Sequence, residues 1–449
     1  MHLWEALHVQ RGDVVSFVGA GGKTTAMYRL GRELAELGWR VITTTTTMIR
    51  PPAAHQTDVL LVEEQAEQAL CRVDEALQRW RRVTLASQRL AAEDKLKGVD
   101  PTLVAQLVPL CDAILVEADG ARGLSLKAPA AYEPVVPAAT KLLIPVVGID
   151  AVGRRLTEEA AHRPKLIAQL TGLACGEVIT SSAVACLLLH PQGALKGAPA
   201  GARIVPLINK VQDEATLALA RQVAAQVKGN SSIDRILIGA VASDDPLIEC
   251  WRRVAAIVLA AGASTRFGCP KQLLPIAEST MLEHVLRTVM SAPVDETIVV
   301  LGSAAAQIAE HVPAGCRTVW NADWEMGISS SVRAGLEAIS PKAEAALFVQ
   351  ADQPNLTRTA LERILQAYYG TTKAIVVPTC QGQRGTPVLF DRRLFAELSA
   401  LRGDVGGREV IARFADQVLP VEIQSPDVFV DIDTPADYER FLKRQGKLT

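Results

Sequence analysis

The chain has 449 residues, too long for one ordinary core, and its 49% hydrophobic and 21% charged residues exclude a disordered chain. A formal net charge of -2 provides no global attraction for nucleic acid or an anionic membrane. No apolar run approaches the roughly 20 residues of a membrane span, and MHLWEALHVQRGD at the start lacks a signal-peptide core. A cytoplasmic protein with small-molecule substrates, and with no nucleic-acid or membrane partner, is expected.

Taken in chain order, short β-rich runs alternate with helical patterns. VVSFVG (14–19), RVITTTT (40–46), DVLLVE (58–63), AILVEA (113–118), KLLIPVVG (141–148), RIVPLIN (203–209) and RILIGAV (235–241) are strand candidates. Between the first two, Met27, Leu30, Leu34 and Leu37 fall at helical spacing, and Gly38 supplies a stop. Such a β-loop-α-β unit builds a parallel sheet. Near Asp244-Asp245-Pro246 the rhythm restarts with AAIVLA (255–260), then ETIVVLG, CRTVW, EAALFVQ, KAIVVP and DVFVDI. The expected fold class is α/β in two domains, about 1–250 and 251–449. Eight cysteines, at 71, 111, 175, 186, 250, 269, 316 and 380, include no CxxC pair. Most read as small buried apolar residues in a reducing compartment.

Each half opens on a strand followed by a Gly-rich loop. The first is GAGGKTT (19–25), which misses the full Walker spacing because Phe17 stands six residues before Lys23. Its shorter form resembles the phosphate loop of Mur-type ligases. That likeness implies ATP or GTP at Gly19, Gly21, Gly22, Lys23, Thr24 and Thr25, with Lys23 near the β- and γ-phosphates and Thr24 reaching magnesium. The helix N-terminus adds backbone amides. A plain Gly-rich turn is the alternative. Glu117 and Asp119 end the strand at 113–118, where a carboxylate can meet magnesium or an activated water. Arg122 and Lys127 follow as phosphate partners or solvated charges. The threonines at 43–47 read as strand propensity or as hydroxyls near the sheet's ligand end. LINKVQDE (207–214) suggests a guanine-reading NKxD motif, but Gln212 replaces its Asp.

The second loop lies in LAAGASTRFGCPKQLLP (259–275), where Gly262 and Gly268 admit phosphate oxygens to the backbone. Arg266 and Lys271 add full positive charges, the combination a nucleoside triphosphate needs when its α-phosphate is attacked. FVQADQP (348–354) ends a strand on Asp352, a first choice for magnesium, which favours one or two carboxylates alongside substrate phosphates. In VFVDIDTPADYERF (428–441), Asp431 and Asp433 alternate with Ile432 on an expected strand. One acid would complete the metal site, Asp433 being the better placed, and the other would support the turn. Ser329, Ser330 and Ser331 follow Gly327 at an apparent helix start, which can bind an acceptor's phosphate or simply cap the helix.

Together, LAAGxSxRxG with its lysine (259–271), NADWEMGISSSVRAGL (321–336), ADQP (351–354), GQRGTPVLF (382–390) and DIDTPADY (431–438) resemble the MobA-like nucleotidyltransferase superfamily. The likeness is greatest to molybdenum-cofactor cytidylyltransferases. It implies a Rossmann-like, GT-A-like domain, CTP as substrate, Mg2+, and molybdopterin or the molybdenum cofactor as acceptor. The acceptor's terminal phosphate would attack the α-phosphate of CTP, giving a cytidine dinucleotide and pyrophosphate. The likeness further implies that Leu259, Ala260, Ala261, Gly262, Ser264, Gly268 and Lys271 hold the nucleotide, and that Arg266, Lys271 and Asp352 are catalytic. Asn321, Gly327, Ser329, Ser331, Arg384 and Gly385 would face the acceptor. Thr386 stands where cytidylyl relatives often have His, and Ala260-Ala261-Gly262 favours CTP over GTP.

The N-terminal half resembles the YqeC-like family of selenium-dependent molybdenum hydroxylase accessory proteins. The match runs through the phosphate loop, TTTT (43–46), VEADG (116–120), LKAPAAYEPVVP (126–137) and INK (208–210). It implies a P-loop-like nucleotide domain. By association it implies an apo molybdenum hydroxylase of the xanthine dehydrogenase type as partner. The competing expectations are GTP:molybdopterin transfer, a sugar- or polyol-phosphate nucleotidyltransferase, and a non-catalytic cofactor carrier.

Overall fold

The computed structural model divides into two compact units, Met1–Trp251 and Arg252–Thr449, and describes residues 1–444. No described helix is long and apolar enough to cross a membrane.

The first unit is built on nine principal strands. They are β1 (Asp13–Gly19), β2 (Val41–Thr45), β3 (Val59–Val62), β4 (Arg82–Ala86), β5 (Ala113–Glu117), β6 (Leu142–Gly148), β7 (Leu207–Asn209), β8 (Ile236–Gly239) and β9 (Leu247–Trp251). Their order is β9-β8-β7-β6-β1-β5-β2-β4-β3. All neighbours are parallel except β8 and β9. The central strands are buried along their length, as parallel strands covered on both faces must be. RIVPLIN is interrupted: Arg203–Ile204 pairs briefly with β6 before β7 begins, because Pro206 has no N–H for the ladder. RVTLA and the antiparallel edge β9 are strands beyond those expected.

The threonine run is a packing device. The Thr43 and Thr84 hydroxyls bond at 2.7 Å, Thr44 donates to Leu85 O, Thr45 to Glu117 O and Thr46 to Val135 O. The buried hydroxyls of Thr43, Thr44 and Thr45 are thereby satisfied within the sheet, and that of half-buried Thr46 by the loop carbonyl of Val135.

The segment after β5 is fixed by alternating charges. Lys127 is fully buried and lies 2.9 Å from Asp119 and 2.7 Å from Glu133, which in turn pairs with Arg163 at 2.6 Å. Leu126–Lys127 runs parallel to Ala161–His162. Lys127 is therefore neither solvated nor open to phosphate, correcting the loop expectation. Burial alone would raise the Glu133 pKa, but hydrogen bonds from Arg163 and Lys127 prevail and hold it at about 2.

The second unit has β10 (Val254–Ala260), β11 (Glu296–Leu301), β12 (Cys316–Trp320), β13 (Ala345–Gln350), β14 (Ile375–Cys380), β15 (Gln383–Arg384), β16 (Val388–Asp391) and β17 (Val418–Glu422). The order is β12-β11-β10-β13-β16-β14-β15, with β17 parallel to β14. Strand β16 is antiparallel to both its neighbours. DVFVDI is not a strand. Pro426–Phe429 forms a short 3-10 helix, and Ile432 N bonds to Asp352 O while its side chain enters an apolar cluster with Met281 and Phe441. One anchoring bond and one buried side chain replace a ladder there. The cysteine expectation also fails for most positions: Cys111, Cys250 and Cys380 are buried, whereas Cys316 is half-buried and Cys71, Cys175, Cys186 and Cys269 are exposed.

Gly21 has φ +93°, and a Cβ there would lie 2.2 Å from Gly148 N on β6; Gly38 has φ +82° with open space around it. Gly21→Ala should cost at least about 2 kcal/mol by adding a backbone clash to left-handed strain, and Gly38→Ala only about 1 kcal/mol. Urea unfolding of the two variants checks this difference. Because Glu133 is held below its ordinary 4.5, its contribution to stability is present above pH 4.5. That contribution fades as pH falls through about 2. In acid unfolding, Glu133→Gln should lose this part of the pH dependence.

Candidate functional site

Ligand crevices in open α/β sheets form beyond the carboxyl ends of the strands, and each unit gathers its Gly-rich loop there. In the first unit, the loop after β1 meets Glu117 and Asp119 at the end of β5. Lys23 opens the helix Lys23–Glu36. Its ammonium donates to Gly19 O at 2.7 Å and lies 3.1 Å from Asp119 and 3.7 Å from Glu117. Burial opposes the Lys23 charge, but Asp119 and Glu117 overcome it and raise its pKa. Thr24 donates to Glu117 at 2.6 Å, and Thr25 lines the same cleft of about 1190 Å³.

The loop's glycines serve packing more than expected. Gly19 N donates to Asp119, Ala20 N to Val146 O, and Gly21 N to Leu124 O. Those amides are committed, so an anion would meet the first helical amides instead, which have no intrahelical acceptor. A Cβ at Gly22 would lie 2.4 Å from the Asn209 amide, which donates to Gly21 O and accepts from Val241 N. Asn209 thus braces the Gly-rich loop, a packing role rather than the guanine contact that the NKxD likeness suggests. The buried Asp119 oxygen that faces Lys23 at 3.1 Å has no other polar partner among the described residues.

In the second unit, Leu259 and Ala260 finish β10 and Ala261 follows it, all three buried. Beyond them Gly262 is exposed, Ser264 has φ +53° and Gly268 has φ +70°. Ser264 Oγ accepts from Lys271 N and bonds Gln272, whose amide donates to Ala260 O and Gly262 O. Buried Gln272 closes the loop, a role the sequence reading missed although it adjoins Lys271.

Lys271 Nζ bridges the two acidic segments, 2.5 Å from Asp352 and 2.8 Å from Asp433. Burial lowers its pKa, yet the two carboxylates win and raise it. The other Asp352 oxygen is buried without a hydrogen-bond partner. Asp431 does not join Asp433 on one strand face. It accepts from Gln353 at 2.8 Å, and crowding by protein, then the Asp352 charge, raise its pKa. Buried Gln353 also donates to Thr386. Among the described residues no group of three or more His, Cys, Asp or Glu forms a metal cage.

Two adjoining cavities flank these acids. One of about 570 Å³ is lined by Gly262, Lys271, Gly327, Ser331 and Asp352. The other, about 730 Å³, is walled by Phe348, Phe390 and Phe429, with Arg384, Gly385 and Asp431 at its rim. Leu259, Gln350 and Asp404 line both. Gly385 is needed for packing, since a Cβ would fall 2.3 Å from the Phe429 ring.

Three expected residues are not brought to a ligand surface. Arg266 is exposed and makes no hydrogen bond or ion pair among the described residues. Asn321 is buried and bonds Ser330 and Ser331, bracing the helix Ile328–Ala338. Ser329 is buried with its amide bonded to Gly403 O. The Asp404 carboxylate caps that helix at Ile328 N, 3.4 Å away, so a negative group already stands where an acceptor phosphate was expected. Asp404 lies in GDVGG (403–407), a Gly-rich segment that could have drawn notice.

The YqeC protein family matches residues 15–165, and the MobA-like NTP transferase domain matches residues 256–418. The YqeC protein of Escherichia coli (strain K12) is 33% identical over 235 residues, 51% of this chain and 88% of that protein. Nicotine blue oxidoreductase of Paenarthrobacter nicotinovorans is 30% identical over 197 residues, 42% of this chain and 96% of that protein. Molybdenum cofactor cytidylyltransferase of Escherichia coli (strain K12) is 25% identical over 187 residues, 41% of this chain and 93% of that protein. With these matches beside the two loop-and-acid sites, the chain belongs to the YqeC family in its N-terminal half and to the MobA-like NTP transferase family in its C-terminal half.

Proposed function

We propose that the C-terminal unit transfers CMP from CTP to the terminal phosphate of molybdopterin or its molybdenum form, releasing pyrophosphate. The observation that carries this reading is the Lys271 ammonium held between Asp352 and Asp433 beside two cavities. A single cation binds both acids, and an orphaned Asp352 oxygen remains beside it, so the donor set fits Mg2+. Asp352 and Asp433 would hold the ion, which supplies charge neutralisation on the phosphate oxygens. Asp431 would support the turn through Gln353. Relieved of its carboxylates, Lys271 turns to the triphosphate, and the backbone at Gly262 and Gly268 receives phosphate oxygens. For Arg266 to assist, its exposed loop must fold over the nucleotide. The aromatic cavity, with Arg384 at its rim, suits a flat heterocyclic acceptor. The acceptor is already an anionic phosphate, so no side chain has to deprotonate it. The likeness to molybdenum cofactor cytidylyltransferase supports this assignment.

The N-terminal unit, on this reading, is a P-loop-like ATP or GTP site at Lys23, Thr24 and Thr25, with Glu117 and Asp119 toward magnesium. An apo molybdenum hydroxylase is the proposed recipient of the finished cofactor. The likeness to nicotine blue oxidoreductase supports one second reading, redox chemistry in the C-terminal cleft.

Pyrophosphate release from CTP with molybdopterin and magnesium tests the transferase reading. Asp352→Asn should lower kcat at least about 100-fold. Lys271→Ala should lower kcat/KM about 100-fold or more. Full turnover by Asp352→Asn would sink this assignment, and substrate-dependent oxidation of a nicotinamide cofactor without pyrophosphate would favour the redox reading.

A further inference from the structure

The N-terminal cleft extends past the phosphate loop to a basic wall that the nucleotide reading does not use. Arg122, His162, Arg163 and Lys210 all line it, as does Tyr132. Parallel pairing of Leu126–Lys127 with Ala161–His162 brings His162 and Arg163 beside the segment that follows Arg122. Arg163 is engaged with Glu133 and lies 5.7 Å over the Tyr132 ring, which is 74% exposed. Arg122, by contrast, makes no hydrogen bond or ion pair among the described residues.

Two further observations point to a ligand. Arg122, Arg163 and Lys210 have φ +52°, +63° and +65°, a conformation that costs an ordinary side chain about 1–2 kcal/mol and tends to cluster at binding sites. His162 is held below its ordinary pKa, first by burial and then by the charges of Arg163, Lys127 and Arg122. Glu133 and Glu158 also line the cleft, and Lys210 is paired with Asp150 at 3.1 Å, so among the described residues Arg122 is the cation of this wall left without a carboxylate.

We infer that this wall is a second anion subsite, taking a phosphate-type oxyanion group of a small-molecule co-substrate beside the nucleotide. The inference rests on the nucleotide reading for its neighbour, but not for its own contacts. Arg122 supplies a forked donor that matches a tetrahedral oxyanion, while Arg163, whose guanidinium is held by Glu133, Ala128 O and the Tyr132 hydroxyl, adds its charge beside it. The exposed Tyr132 ring offers a platform for an organic body attached to that group. The N-terminal unit then acts on a phosphorylated compound or a free oxyanion, rather than only hydrolysing a nucleotide.

Calorimetric titration of the full chain with inorganic phosphate, and separately with ribose 5-phosphate, tests this. Each is run with magnesium, with and without saturating non-hydrolysable ATP or GTP analogues. Phosphate-group binding should persist with analogue bound, and should weaken about tenfold or more in Arg122→Gly. Glycine suits the left-handed backbone at 122, so this variant should stay folded. Arg122→Lys should recover part of the affinity. Tighter binding of the ester assigns an organic co-substrate, and equal binding assigns a free oxyanion. Absence of binding, or binding unchanged in Arg122→Gly, overturns the inference. Displacement by the analogue does so too, because the anion would then occupy the nucleotide's own phosphate position. Arg122-dependent phosphate binding in a protein that binds neither analogue would retain the subsite and sink the nucleotide reading.

Discussion

An ammonium held between two carboxylates at the end of a buried strand organises the C-terminal unit. Asp352 emerges from β13, Asp433 from the irregular segment near the end of the described chain, and Lys271 from the Gly-rich loop after β10. Three distant segments are drawn together by charge that would be costly to leave unpaired in a partly buried site. On the proposed reading, a divalent cation and a triphosphate would compete for those groups. Gln272 and Gln353 then hold the adjoining turns with neutral hydrogen bonds, adding no charge to the site.

The N-terminal unit solves a related problem with deeper burial. Lys23, Lys127 and Arg163 alternate with Glu117, Asp119 and Glu133, and Lys127 is wholly removed from solvent. Such a chain has more geometric than energetic value, because desolvation offsets much of its attraction. It fixes the Gly-rich loop after β1 against the end of β5, while Asn209 fixes it from the other side. The loop is therefore shaped before any ligand arrives.

Much of this was legible because buried parallel strands write themselves as apolar runs. β1, β5, β6 and β10 fall almost where their sequences place them. The loops at their ends were legible for the same reason, since glycine, lysine and acid follow each run directly. What escaped was set by tertiary contact. Asp431 and Asp433 alternate like strand residues, yet Ile432 is anchored by Asp352 O and Met281 rather than by a neighbouring strand. Lys127 reads as a surface cation, and only its distant partners Asp119 and Glu133 bury it. Ser329 reads as an anion contact, but Asp404, some seventy residues later, already caps that helix. Pairings of that range leave no local periodicity to detect.

The central claim is that the Lys271 cleft joins a cytidylyl group to a pterin phosphate. The most direct measurement supplies the full-length chain with magnesium, molybdopterin and equal CTP and GTP, and identifies the dinucleotide product by mass. The account predicts the cytidine dinucleotide with one pyrophosphate released per product. A guanine dinucleotide would contradict the nucleotide assignment, and no dinucleotide from a folded protein would contradict the transfer itself.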